Sequence, residues 1–318
     1  TQVAAKGFLG KVYLTMAGFP LNDTAKKAEA QQLFKEVIDY ATARNKYWMA
    51  NMDAWNQSWL HENDNKYAIF EIQYITEAGQ GNPMVTLTVP SNPGTDWCGN
   101  NLVTGTHVYI ERGLQRHFIA KDEITGEYID KRADGTLNLK ETIDEDGNIV
   151  TSKGNTFYTK YFESKVKRAK FGMSDMDATI VDRSYWPQNF QLLRIEDIML
   201  LYAECVGNTI EGRELVNKIR RRAGLADLDI NLSEEEFQKA VQDERRYELA
   251  EEGVRWFDLV RRNEYVDTIK QMFINDDDTE NGTYRQYANR VNADMYLYPI
   301  PQSQIEVRKG LYIQNKGY

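Results

Sequence analysis

The chain has 318 residues, 42% of them hydrophobic, and its 48 acidic against 39 basic side chains give a formal charge of -9. That length buries roughly three quarters of the unfolded surface, enough for a large core without disulfides or metals. The negative balance excludes a nucleic-acid partner, which requires clustered Lys and Arg and a positive field. Cys98 and Cys205 supply no disulfide framework, and no apolar run approaches the ~20 residues of a membrane-spanning helix.

The opening TQVAAKGFLGKVYLTMAG reads as a helix under way from Val3, with no initiating Met and no entry loop. The expectation is a processed product or the remainder of a longer protein. Ala5, Leu9, Val12, Tyr13 and Met16 fall at helical spacing, as do Leu33, Phe34, Val37, Ile38 and Ala41 after the break at Gly18, Phe19 and Pro20. An antiparallel helix pair over residues 1–46 is predicted, of the kind that stacks in tetratricopeptide-like repeats. Ala4, Ala5, Gly7 and Gly10 leave room for a close partner.

Over 47–189 the helical period weakens, and Asn, Asp, Gly and Thr separate short β-type runs. IFEIQYI, at 69–75, is the clearest strand candidate, and Gly126, Asp134 with Gly135, and Asp146 with Gly147 read as hairpin turns. This region is predicted to be a loop-rich, partly β insertion.

The third region, 190–318, returns to helix at Phe190. Ile195, Ile198, Met199, Tyr202, Cys205 and Val206 form a wide apolar stripe, so that helix is expected to be deeply buried, with Cys205 a core residue. A second helix over 213–223 stops at Gly224, which suits a left-handed cap. Ser233 and Glu236 have capping-box spacing and open a third helix that runs toward Gly253. The aromatic stretch VRWFDLVRR follows, and Pro299 and Pro301 break regular helix near the end. The fold class is therefore mainly α, built of tetratricopeptide-like helix pairs.

Catalytic chemistry is poorly represented. Glu244, Glu248 and Glu251 lie on the third helix, where a paired-carboxylate catalyst would draw its acids. Glu244 and Glu248 share a stripe with Phe237 and Val241, so they point to the core, where ionised groups persist only when paired. Arg194, Arg220 and Arg255 are the available partners, and a structural ion-pair lattice is the better account. His61, His107 and His117 are too scattered for a metal site. The acidic runs at 144–148 and 276–278 lack the full calcium-loop pattern and read as solvated turns. No phosphate-cradling loop or nucleophile elbow occurs, so no cofactor, metal or catalytic residue is assigned.

The compositional anomaly is 19 Tyr, 12 Phe and 6 Trp in a polar chain. Trp97 lies among Gly, Asn and Asp, beside Asn100 and Asn101. An indole face can stack on a sugar ring while amides bond its hydroxyls; the same Trp could instead pin its own loop to the helical body. Tyr185 with Trp186 is a second such cluster. Trp48, Trp55 and Trp59 form a third, but Trp55 and Trp59 are four apart and a helical core face explains them.

The C-terminal motifs resemble, in order, those of the SusD/RagB family. LLRIEDIMLLYAEC carries Arg194 and Glu204; ELVNKIRRRAGL carries Asn217, Arg220, Arg222, Ala223 and Gly224; ERRYELAEEGVRWFDLVRR, YLYPIPQSQI and QNKGY complete the set. The N-terminal helix and IFEIQY are similar to the family's middle portion. Ile195, Glu251 and Val254 depart from its usual Tyr, apolar residue and His.

The resemblance implies a non-enzymatic, surface-exposed outer-membrane lipoprotein that captures an oligosaccharide for a SusC-like TonB-dependent transporter. Its membrane attachment would be through a lipidated N-terminal Cys that is not among these residues. Peptide or glycopeptide capture, or a helical-repeat scaffold binding another protein, are the alternatives. Trp97, Asn100, Asn101, Tyr185 and Trp186 are the candidate ligand contacts.

Overall fold

The computed structural model describes residues 1–60, 63–77, 79–84, 88, 110–138, 141–143, 149–151, 156–162, 165–173, 186–275, 283–308 and 310–318. They form two units, one of 1–14 with 25–253 and the other of 15–24 with 254–318. Helices α1 (Gln2–Ala17), in the first unit as far as Leu14, and α2 (Lys26–Ala43), within the first unit, are the expected N-terminal helices. The buried face of α1 is not the expected one. Val3, Ala4, Gly7, Gly10 and Leu14 turn inward, while Leu9 and Val12 are 42% and 52% exposed. The reason is close approach. A Cβ on Gly10 would stand 2.6 Å from the Phe34 ring of α2, and one on Gly7 would stand 2.6 Å from Leu193. The small-residue stripe packs because it is small, and the larger apolar residues are displaced outward.

After α3 (Met52–Gln57) the strand β1 (Ala68–Ile72) forms where IFEIQYI placed it. Then come α4 (Arg112–Ile119), the short α5 (Ala133–Thr136), the hairpin β2 (Glu141–Ile143) with β3 (Ile149–Thr151), and α6 (Lys165–Lys170). Glu141 stands opposite Thr151 and Ile143 opposite Ile149. Gly126 occupies a turn at φ 70, closing the bridge between Lys121 and Tyr128, with Asp122 Oδ1 accepting from the Thr125 amide at 2.8 Å. Asp134 and Gly135 do not make a hairpin turn. They lie in α5, where a Cβ on Gly135 would strike Trp55 at 2.4 Å, so that position needs Gly for packing. The two acidic runs read as turns, 144–148 and 276–278, lie outside the described residues.

Residues Phe190–Arg194, expected as the start of a helix, form β4 instead and pair antiparallel with β1, Ile72 opposite Phe190 and Ala68 opposite Arg194. The pairing gives both short segments backbone partners along one edge, which outweighs local helical period. Helix α7 (Ile195–Val206) begins at once, and all its residues from Ile195 to Cys205 are buried. It packs against α2, α8 (Ile210–Arg222) and α9 (Glu234–Glu248). Such encirclement explains why its stripe is so wide. Gly224 takes φ 79 after α8, and Ser233 with Glu236 forms the reciprocal capping box of α9.

The second unit contains α10 (Arg255–Arg261), α11 (Tyr265–Asn275), α12 (Thr283–Ala288) and α13 (Gln302–Val307). The Phe19 amide donates to the Arg261 carbonyl at 2.8 Å, and Phe19 meets Tyr296 edge to face at 5.1 Å. Trp256, edge-on to Tyr265 at 5.8 Å, is half-buried.

Candidate functional site

Two features of the first unit could carry function: a buried lattice of charge, and a cleft beside it. In the lattice, Glu248 at the end of α9 is the hub. Its Oε1 accepts from Arg194 at 2.7 Å, Arg222 at 2.5 Å and the Trp55 indole at 3.3 Å, and its Oε2 from Arg132 at 2.9 Å. Burial alone would raise this carboxyl, but Arg222, Arg194, Arg132 and Lys160 hold it well below the usual range. Glu244 accepts from Arg132 at 2.6 Å and Arg220 at 3.4 Å. Arg194 also forks onto Glu252, at 2.7 and 2.8 Å. Lys160, fully buried, reaches Glu252 and the Glu248 carbonyl, both at 2.7 Å.

The expected structural pairing of Glu244 and Glu248 is therefore present, with Arg194 and Arg220 among the partners as expected. Arg132 and Arg222, which the sequence did not single out as partners, join them. The lattice extends outward from Arg132 to Asp130, whose carboxylate also receives His117 Nε2 at 2.8 Å. His117 stacks on Tyr247 at 3.4 Å. Charge-assisted forks of this kind lock rotamers and bind four separate chain segments together. Catalysis needs acids free to exchange protons, and these are held by guanidinium groups.

Glu251 is the exception. Its backbone is left-handed at φ 70, and its Oε2 accepts from the Lys160 amide at 3.0 Å. Burial, opposed by Lys160, pushes its carboxyl up to about 8. Because the folded value lies above the unfolded one, its contribution to stability is full below about pH 4.3 and is lost as pH rises through about 8. Glu251→Gln is therefore expected to match the parent near about pH 4 and to exceed it by about 2 kcal/mol near about pH 9, a figure reduced from the full shift for solvent access. Urea denaturation at the two pH values checks this; an equal gap at both would show that Glu251 does not titrate in this way.

The cleft, of about 680 Å³, lies beside the lattice. Met52, Asp53 and Asn56 of α3 line one side, Tyr128, Lys131 and Asp134 another, and Val166, Lys170 and Phe171 the third. The lattice sets two of these walls, since Glu248 bonds Trp55 of α3 and also Arg132, next to Lys131. Lys170 bridges to Asp53 at 2.7 Å, and Lys121 Nζ stands 4.8 Å from the Tyr128 ring centroid. Partial burial raises the Asp134 carboxyl, against the pull of Lys121.

Of the residues singled out from sequence, Trp97, Asn100, Asn101 and Tyr185 lie outside the described residues. Trp186 is wholly buried: its indole donates to the Tyr161 carbonyl at 2.9 Å and its ring lies 5.1 Å from Phe162. It offers no face to a ligand. Trp55 and Trp59 are buried as expected, edge-on at 5.6 Å. The cleft residues escaped the sequence because they come from three segments with no shared motif.

Helices packed around a buried charge lattice, with an open polar and aromatic cleft beside it, define a mainly helical fold. The model of the SusD family matches residues 17–318, and the chain belongs to that family. SusD-like protein P38 of Formosa agariphila is 37% identical over 92 residues, covering 26% of this chain and 18% of P38. The surface glycan-binding protein A of Bacteroides uniformis superposes with a TM-score of 0.66 at 23% identity, covering 97% of this chain and 60% of that one. The Bacteroides thetaiotaomicron surface glycan-binding protein A, in complex with laminarihexaose, gives 0.66 at 18% identity, covering 98% and 64%. The chain thus spans less than two thirds of the length of each of these relatives. At such identities the solved structures establish the fold.

Proposed function

We propose that this protein captures an oligosaccharide at the bacterial surface without cleaving it and delivers it to a SusC-like TonB-dependent transporter in the outer membrane, where it is held by a lipid anchor. The observation that carries the reading is the family match over residues 17–318. Two solved relatives of the same fold are named as surface glycan-binding proteins, one of them holding laminarihexaose. The capture of Glu244 and Glu248 by arginines supports binding over hydrolysis. Trp97 with Asn100 and Asn101, together with Tyr185, belongs to the proposed ligand surface, since loops on a rigid body are where specificity is usually carried.

The test is calorimetric titration of the full-length protein with neutral hexasaccharides, laminarihexaose, cellohexaose and xylohexaose among them, with anionic hexagalacturonate, and with a mixed peptide library. Glycan binding without release of new reducing ends is expected, and Trp97→Ala should lower affinity about fivefold, equivalent to the about 1 kcal/mol of one stacked ring. Binding of peptides alone would replace this reading with peptide capture.

A further inference from the structure

We propose that the cleft between α3, the 126–134 segment and α6 is a glycan subsite that takes a short, uncharged oligosaccharide segment; this rests on the capture reading above. Its volume of about 680 Å³ falls within the range of sites that enclose small ligands, roughly 300–1,000 Å³. Two rings line it, Tyr128 and Phe171, and a pyranose presents an apolar C–H face to such rings.

The charges decide the ligand class. Asp53, Glu127 and Asp134 face Lys131, Lys167 and Lys170, three of each sign, so the cleft selects neither an anion nor a cation. A row of hydroxyls suits it, because each hydroxyl donates to a carboxylate and accepts from an ammonium. The Asn56 amide adds both functions. Asp53 and Lys170 are themselves an exposed pair. Such pairs contribute little to stability, so their hydrogen-bonding groups transfer to a ligand at small cost. Two of the three walls, in contrast, are held by the buried lattice through Trp55 and Arg132, and a preformed cleft loses less ordering entropy on binding.

The experiment titrates the full chain and three variants, Tyr128→Ala, Phe171→Ala and the double Lys131→Ala/Asp134→Ala, with laminarihexaose, cellohexaose, xylohexaose and hexagalacturonate. Amide exchange at 126–134 and 165–171 is followed with and without sugar. Binding of at least one neutral hexasaccharide, with little dependence on salt, is expected. Each ring variant should weaken it about tenfold and the double variant about threefold, with exchange slowed in both segments. Lys131 and Asp134 are exposed, so the double variant reports on the cleft even if Tyr128→Ala fails to fold. If the parent binds a neutral sugar but every folded variant binds it equally and exchange is unaltered, the cleft assignment falls while glycan capture stands. Binding confined to hexagalacturonate, falling with salt, overturns the uncharged class. Binding of none of the sugars overturns the capture reading and the cleft with it.

Discussion

Glu248→Ala is expected to lower stability by about 3–5 kcal/mol, because it leaves three buried guanidinium groups facing a cavity. Arg132, Arg194 and Arg222 each direct a nitrogen at this one carboxylate within 2.9 Å, and each is almost without exposed surface. Their side chains are at most 1% exposed, so the loss of charge is poorly compensated, and Trp55 loses its indole acceptor as well. Against a typical total of about 5–15 kcal/mol, the loss would bring the protein close to the unfolding threshold at room temperature. Urea denaturation of the variant measures it, and Glu248→Gln, which keeps the shape and loses the charge, should also be strongly destabilised. Unchanged stability together with the loss of a hydrolytic activity would reassign Glu248 to catalysis.

Trp186→Ala should cost a comparable about 3–5 kcal/mol through the cavity it opens. The side chain has no exposed surface, packs on Phe162, and its indole satisfies the Tyr161 carbonyl. Thermal denaturation of this variant beside Trp97→Ala separates two roles that the sequence treats alike. A large fall in melting temperature for Trp186→Ala alone fits a core residue. If instead Trp186→Ala keeps its melting temperature and loses glycan affinity, the ligand surface includes Trp186.

The paired state of Glu244 and Glu248 was legible because charged residues on a stripe with Phe237 and Val241 have no other way to be buried. Arg194 and Arg220 were legible among their partners, whereas Arg132 was not. Arg132 comes from more than a hundred positions earlier and from a region whose composition reads only as loop. The strand at β1 was legible from IFEIQYI, but its partner β4 was hidden in a helical period, since strand pairing is decided by a second segment absent from any local window. The helical face of α1 was misread for a related reason. Hydrophobic spacing ranks Leu9 and Val12 above Gly7 and Gly10, whereas the neighbouring Phe34 and Leu193 reward the residues with the least volume.

What the sequence by itself determined is whatever depends on near neighbours in the chain. The capping box of Ser233 and Glu236, the left-handed stop at Gly224, the buried stripe of α7 and the ordered motifs from Arg194 onward all follow from spacing of a few residues. Tertiary structure alone decided the rest. It added Arg132 and Arg222 to the Arg194 expected at Glu248, turned Trp186 inward, and brought Asn56, Tyr128 and Phe171 to one cleft. Each of those outcomes depends on which distant segments share a volume, and the energy of close packing and of buried charge is set by that proximity rather than by distance along the chain.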